Sequence, residues 1–210
     1  MRLIKSAWKL VREFRQAYIV LNLVYYAMVV LGMVFVAFNP RLQQSLLETV
    51  GTAFTQEPLS TVADAYIGGK LFTAIVLTFV VNLVLASIMW ITIPSLLIPF
   101  SGLLAGLLRA ALWGLVLSPT TPEMAKMMIP HSLTLVIEGQ AYVVAMLAVY
   151  VHGKAFIAPR TVGAATYTDG YSIGLERTCR LYVFVVILLA VAAVYEALEG
   201  IFIVPVLLGR

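Results

Sequence analysis

The sequence predicts an all-α, polytopic membrane protein that forms a single domain over residues 1–210. Of its 210 residues, 62% are hydrophobic and only 11% are charged, whereas soluble domains carry about 25% charged residues. A chain of this length has too little interior to hide so many apolar side chains from water. The predicted elements are helices, because lipid offers backbone amides no hydrogen-bond partner. The net charge of +4 is small and scattered, so we expect no nucleic-acid partner.

Five segments are apolar over the roughly 20 residues that a membrane-spanning helix needs. The first follows a basic stretch, as in a signal peptide, but its apolar run exceeds the roughly 7–15 residues of a signal core. We therefore expect it to be retained as a helix. The prediction is about five transmembrane helices, over residues 17–38, 70–91, 94–117, 126–151 and 181–208.

Lysine and arginine near the ends of the spans predict the orientation, because cytoplasmic loops carry an excess of both. Residues 1–16 and 152–180 are basic, whereas residues 39–69 contain one arginine beside three acidic residues. Five spans put the two basic regions on one side. The prediction is a multi-pass protein of the cell (inner or cytoplasmic) membrane, with its N-terminus inside and its C-terminus outside. Residues 39–69 then form an external loop, and residues 152–180 a cytoplasmic loop that is irregular until its last helical turn.

Two short amphipathic helices are expected at the membrane surface. Residues 1–16 place apolar side chains on one helical face and basic side chains on another, a pattern typical of interfacial helices. The alternative for residues 1–16 is a basic flank that only sets the topology. The residues expected to bind the membrane surface are Lys5, Trp8, Lys9 and Arg12. The apolar face expected within residues 39–69 consists of Leu42, Leu46, Leu47, Val50 and Phe54.

Apart from residues near the span ends, five ionisable residues lie inside the predicted spans. At about 1.5 Å of rise per residue, all five fall between the midplane and the outer surface, and they come from three helices. Ionisable side chains at this depth are costly and often functional, but a buried network that only fixes helix register is an equal alternative. This polar cluster consists of Arg109, His131, Glu138, Glu196 and Glu199.

Charge counting predicts how the polar cluster pairs. Arg109 can satisfy one carboxylate, because a guanidinium binds a carboxylate through two parallel hydrogen bonds. A second acid could bond His131, or a tyrosine such as Tyr142 or Tyr195. A third acid would be protonated, or exposed near the outer surface.

Small residues predict where the helices approach each other closely. Gly102 and Gly106 lie four residues apart, a spacing that allows close helix contact in membranes. Arg109 shares their face, so we expect it to point into a packed interface. Asn82 is expected to bond across helices in a structural role.

Motifs of enzymes and metal centres are missing from the sequence. It contains no Gly-rich phosphate loop, no GxSxG nucleophile motif and no HExxH. His131 and His152 are too far apart to form a close metal-binding pair. We therefore expect no metal and no cofactor, and we do not expect an enzyme. A membrane-embedded hydrolase is the weakest of the functional hypotheses.

Three stretches resemble the stage II sporulation protein M (SpoIIM-like) family of membrane proteins. "FVVNLVLASIMWITIPSLLIPFSGLLAGLL" resembles its Asn-containing helix, short Pro turn and Gly-spaced helix. "IPHSLTLVIEGQAY" is similar to its Pro-His-Gly segment followed by Glu, and "VYEALEGIFIVP" resembles its closing Ile-Glu-Ala-Phe-x-x-Pro. The matching residues are Asn82, Pro94, Gly102, Gly106, His131, Glu199, Phe202 and Pro205.

The match departs from the family pattern beside the histidine. The family places its Glu one turn after the His, where this chain has Leu135, and Ser132 replaces the usual Gly. His131 therefore carries over to the pattern, whereas Glu138 does not.

The resemblance covers about residues 70–208 and implies a membrane scaffold or a subunit of a larger membrane complex. The implied partners are the lipid bilayer and either a protein partner or a homo-oligomer. The alternative is a permease or ion/proton-coupled transporter subunit that uses the polar cluster. A transporter should have a wet cavity that reaches the cluster, whereas a scaffold should have a dry, fully paired cluster.

Overall fold

The computed structural model describes residues 2–209, and throughout this range the regular structure is helical, with no β-strand. The predicted all-α class is confirmed. We number eight helices, and each π-helical stretch is counted with the helix that contains it. They are α1 (Arg2–Glu13), α2 (Arg15–Ala37), α3 (Pro40–Ala53), α4 (Leu59–Ile67), α5 (Leu71–Leu97), α6 (Ser101–Val116), α7 (Pro122–Ile157) and α8 (Tyr167–Leu207).

Four of the described helices, α2, α5, α7 and α8, are long and apolar enough to cross a membrane. Helix α6 is also apolar but has only 16 residues, a length of about 24 Å at 1.5 Å per residue. It is therefore shorter than the hydrocarbon core of a typical bilayer, which is about 30 Å thick. The chain is an all-α, polytopic membrane protein, as the composition predicted.

The predicted boundary between the second and third spans was wrong. The prediction ended the second span before Pro94, but α5 continues through this residue. Pro94 is tolerated because it follows a π-helical stretch, Val81–Thr92, and such local adjustments can satisfy the backbone groups that a proline leaves free. The chain reverses at Pro99 instead. Ile98 before it is extended, as proline demands of the preceding residue, and Phe100 after it has a left-handed φ of 71°.

One end of the bundle carries both basic regions, and we call it the basic end. Arg177 of α8 donates to the carboxylate of Glu13 at 3.1 Å. The ring of Phe14, which separates α1 from α2, packs against Tyr150 of α7 with the ring centroids 6.3 Å apart. Residues 2–16 and 152–180 therefore lie side by side.

The opposite end of the bundle is closed by α3. Its Gln43 is buried and donates to the backbone carbonyls of Val116 and Ser118, at 3.1 and 2.8 Å, where α6 ends. The hydroxyl of Ser118 donates to the carbonyl of Met33 in α2. These contacts bring the ends of α2 and α6 together, and Phe100 before α6 packs against Tyr150 at the basic end. The five apolar helices α2, α5, α6, α7 and α8 therefore alternate in direction along the chain.

Helix α7 is the central helix of the bundle. Every residue from 141 to 149 is buried, and α8 packs along its length, while α2, α5 and α6 pack around it. Because the neighbours of α7 all face it, polar side chains on α7 are within reach of several helices.

The two long loops are more helical than predicted. Residues 152–180 were expected to be irregular, but α7 extends to Ile157, a short 3-10 helix covers Pro159–Val162, and α8 begins at Tyr167. Thr166 caps α8 by accepting a hydrogen bond from the backbone N–H of Asp169, a common way to satisfy a helix start. The predicted helix within residues 39–69 is present as α3, and α4 follows it without having been predicted.

Candidate functional site

Arg109 and Glu138 form an ion pair between α6 and α7. Arg109 Nη2 lies 3.1 Å from Glu138 Oε1. The same nitrogen donates to the hydroxyl oxygen of Tyr142 at 2.7 Å, and the Tyr142 hydroxyl donates to Glu138 Oε1 at 2.5 Å. Glu138 and Tyr142 lie one helical turn apart, which places both on the same face of α7. The three side chains thus close a triangle of hydrogen bonds inside the bundle.

The guanidinium of Arg109 also contacts two aromatic rings. Its central carbon lies 4.4 Å from the ring centroid of Tyr142 and 5.2 Å from that of Trp113. A cation over an aromatic face is stabilised by the ring quadrupole, more strongly when water is excluded. Arg109 Nε, however, is buried without an acceptor within residues 2–209, and 20% of the side chain remains exposed.

A second pair joins α7 to α8. His131 Nδ1 contacts Glu199 Oε1, and the hydroxyl of Thr134 donates to Glu199 Oε2 at 2.8 Å. His131 and Thr134 are three residues apart on α7, so they present their polar atoms to one carboxylate. Glu199 opens a π-helical turn, Glu199–Ile203. Such turns widen the helix and are frequent at functional sites.

Glu196 is the member of the predicted cluster that no cation pairs with. Its Oε2 is buried without a hydrogen-bond partner in the described part of the chain. Tyr195 beside it was a predicted partner for a carboxylate, but its hydroxyl donates to the backbone carbonyl of Pro130 instead. The structure thus contains two pairs and one unpaired carboxyl, a division that matches the charge counting: one acid on Arg109, a second on His131 and a third without a cation.

Tyr66 of α4 covers one side of this region. Its ring lies against Gly200, directly after Glu199, and its hydroxyl hydrogen-bonds that of Thr78 in α5 at 3.0 Å. Burial raises the pKa of the Tyr66 phenol above its ordinary value. The unpredicted helix α4 therefore contributes a wall to the site.

The predicted glycine face of α6 is buried, and its members meet different neighbours. A side chain on Gly102 would collide with the backbone carbonyl of Ile91, and the Gly102 amide donates to the hydroxyl of Ser95 at 2.7 Å. Gly106 instead faces the flexible side chain of Met146 on α7. Both glycines allow α6 to lie close to its neighbours, and Arg109 lies one turn further along.

Asn82 makes no side-chain hydrogen bond within residues 2–209. Its backbone carbonyl accepts from the hydroxyl of Ser87. The expected bond from Asn82 to another helix is therefore absent from the described residues, and Asn82 lies in the π-helical part of α5.

The basic residues expected at the membrane surface are exposed. Helix α1 packs on α8 through three buried residues, and the ring of Trp8 contacts that of Phe184 edge-on with centroids 6.3 Å apart. This helix therefore lies against the bundle, with a basic and partly apolar face turned outwards. The exposed residues of that face include Lys5, Trp8, Lys9 and Arg12.

A second polar network links α2 to α7, and sequence reasoning missed it. Gln140 donates to the side-chain oxygens of Asn22 and Tyr26, at 2.6 and 3.0 Å, and accepts from the hydroxyl of Tyr18 at 2.7 Å. The three α2 residues are spaced four apart, a periodicity visible in the sequence. Thr134 was also missed, since a threonine on an apolar helix carries no signal of its own.

Comparison of the chain with protein-family models, with curated proteins and with solved structures gives no match in any of the three. The resemblance to the SpoIIM-like family stays a prediction that rests on the three stretches described above. Within residues 2–209, no group of three or more His, Cys, Asp or Glu side chains is arranged to hold a metal ion.

Proposed function

We propose that this protein is a SpoIIM-like subunit of a larger membrane assembly, in which its helical bundle acts as a scaffold. The cluster is paired only in part, so the fully paired cluster expected of a scaffold is not seen within this one chain. The proposal therefore rests on one observation, the incomplete coordination of Arg109, which a partner chain would complete. Within the described residues its hydrogen bonds come from Nη2 alone, although a guanidinium has five N–H donors. A fifth of the side chain is exposed on the surface of an apolar helix.

A partly exposed, under-coordinated arginine inside a span favours a second protein chain at this surface. Arginine in a membrane span is costly and normally faces a bundle interior or a water-filled cavity. A polar or acidic group on a neighbouring helix would supply the missing acceptors, and polar side chains are known to join helices in membranes. The proposed partner contact is therefore the face of α6 that carries Arg109.

The paired residues support the scaffold part of the proposal. The Arg109–Glu138 pair ties α6 to α7, and the His131–Glu199 pair ties α7 to α8. Gly32 adds a close contact between α2 and α6, since a Cβ there would lie 2.8 Å from the carbonyl oxygen of Ala111. Packed interiors of this kind resist deformation, which suits a protein that holds others in place.

The proposal includes the topology. The four long apolar helices and the shorter α6 all cross the cell membrane, with the N-terminus in the cytoplasm and the C-terminus outside. The adjacency of residues 1–16 and 152–180 at the basic end supports it, because cytoplasmic segments carry the excess of lysine and arginine.

Extraction in mild detergent tests the proposal. The tagged chain is purified from its native membrane, and the mass of the intact particle is measured and its proteins identified. We expect a particle well above the 23.0 kDa of one chain, with a second protein or further copies in fixed stoichiometry. The Arg109→Leu/Glu138→Gln double variant should remain folded and lose the partner. A particle of one chain and lipid alone, in several mild detergents, would remove the proposal.

The unpaired carboxyl of Glu196 favours a second candidate function, a permease or ion/proton-coupled transporter subunit. A buried carboxyl without a partner is typical of proton relays in transporters. Proton uptake into vesicles that contain the protein should then depend on Glu196 and be abolished by Glu196→Gln, while Glu123→Gln near the start of α7 leaves it unchanged. Equal proton uptake with and without the protein would exclude this candidate.

A further inference from the structure

A concave site at the basic end is separate from the polar cluster. It lies where α1 meets α2, beside the last turns of α7, and has a volume of about 190 Å³. One water molecule needs roughly 10–15 Å³ of such volume, so the site has room for a larger polar group. Three cationic side chains line it, from Arg12, Arg15 and Lys154.

The charge in this cleft is unbalanced. None of the three cations forms an ion pair with a carboxylate among residues 2–209. The only acid in the lining is Glu13, and its carboxylate already accepts from Arg177 on the outside of the cleft. The cleft therefore presents three uncompensated positive charges, which favour an anion.

The side chains around the cleft are of the kinds that contact a lipid head group and its acyl chain. Phe14 and Tyr150 form its aromatic wall, and aromatic side chains are enriched at the membrane–water interface. One and two turns beyond Arg15, on the same face of α2, lie the exposed apolar side chains of Ile19 and Leu23. An acyl chain can follow this strip while its head group occupies the cleft.

We propose that this cleft binds the phosphate group of one anionic phospholipid, held by Arg12, Arg15 and Lys154, with an acyl chain along Ile19 and Leu23. Basic pockets between helices at the cytoplasmic side of a membrane bind anionic head groups in this way. The site differs from general attraction of α1 to a charged surface, because it has a fixed shape, an aromatic wall and a cation supplied by α7.

Native mass spectrometry of the full chain tests the site. The protein is stripped of lipid in detergent and titrated with phosphatidylglycerol, with phosphatidylcholine, and with inorganic phosphate as a competitor. We expect one phosphatidylglycerol to bind in preference to phosphatidylcholine. Arg15→Gln and Lys154→Gln should each weaken this binding about fivefold, as expected for one cation near a lipid phosphate. The matched control is Arg160→Gln, which removes an exposed cation from the same end of the bundle but outside the cleft.

The phosphate competitor, the second lipid and the control variant distinguish a lipid site from a free-anion site and from diffuse attraction. Millimolar inorganic phosphate should fail to displace the lipid, and displacement would overturn the lipid assignment in favour of a free-anion site. Equal binding of both lipids, or an effect of Arg160→Gln as large as that of Arg15→Gln, would show diffuse attraction and overturn the site. Lys154→Arg should retain binding, and the melting temperature of each variant without lipid separates loss of the site from loss of the fold.

Discussion

Arg109 and Glu138 lie 3.1 Å apart and belong to consecutive, antiparallel helices of the bundle. The Tyr142 hydroxyl bonds both members of the pair, so the carboxylate and the guanidinium share a neutral third partner. Because the pair lies within an apolar helix bundle, its two charges depend on each other for compensation. This dependence makes the pair open to a direct test.

Loss of Arg109 alone should be severe and should be rescued by Glu138. Arg109→Leu leaves Glu138 as an uncompensated charge, which in buried pairs costs about 3–5 kcal/mol. Adding Glu138→Gln removes that charge and should restore much of the lost thermal stability in detergent. Adding Glu199→Gln instead should restore none, because Glu199 is bonded to His131 and Thr134. Rescue by Glu199→Gln, or by neither change, would contradict the pairing.

His131 and Glu199 should be energetically coupled to each other. A double-mutant cycle with His131→Ala and Glu199→Gln should give a coupling free energy within the roughly 0.5–3 kcal/mol seen for residues in contact. The control is a second double-mutant cycle, with His131→Ala and Glu138→Gln. Those residues are two turns apart, so their effects should add to within about 0.5 kcal/mol. Equal coupling in both cycles would show one shared cluster instead of two pairs.

The two glycines of α6 should differ in their tolerance of a methyl group. Gly102→Ala forces the new Cβ into the backbone carbonyl of Ile91, whereas Gly106→Ala meets the Sδ and Cγ atoms of the Met146 side chain, which can move more readily than backbone. Overpacking typically costs about 1–3 kcal/mol, and we expect that loss of unfolding free energy for Gly102→Ala and a smaller one for Gly106→Ala. Gly51→Ala on α3 is the control, because a Cβ there meets nothing within 4 Å. It should be neutral or stabilising by up to about 1 kcal/mol. The reverse order would refute the close approach of α6 to α5.

Reporter fusions test the proposed topology. A reporter fused after residue 209 should be active outside the cell, and one inserted near Thr166 should be active in the cytoplasm. The reason is that α8 begins at Tyr167, at the basic end, and finishes at the opposite end. A cytoplasmic C-terminal reporter would mean that one of the five helices, with α6 the shortest, does not cross.

The elements that follow from composition and charge were predictable. Long apolar runs identified the helices, and the shared side of residues 1–16 and 152–180 agrees with the contact of Glu13 with Arg177. Depth alone indicated that Arg109 and Glu138 could meet, because both lie near the middle of their helices. These inferences succeed because lipid leaves few ways to satisfy backbone amides and charges.

Other features depend on tertiary contacts that the sequence does not display. Gln43 of α3 donates to the backbone carbonyls at the end of α6. A glutamine is expected to be exposed, so its burial could not be predicted from the sequence. Charge counting predicted that the acids divide among Arg109, His131 and no cation, but it could not tell which acid takes which place, and no periodicity predicts the π-helical turn at Glu199. The polar residues from Thr166 to Arg180 predicted a loop. Instead α8 begins before its apolar span, at Tyr167, because Thr166 supplies a helix cap.

Photo-crosslinking from α6 tests most directly the claim that a second protein chain covers Arg109. A photoreactive amino acid replaces Leu112, an exposed residue three positions beyond Arg109 on the same side of α6. The control replaces Leu31, which is similarly apolar and exposed on α2. Irradiation of intact native membranes should give a discrete protein adduct from position 112 and none of that mass from position 31. Lipid adducts alone at both positions would contradict the account, because Arg109 would then face the bilayer without a protein partner.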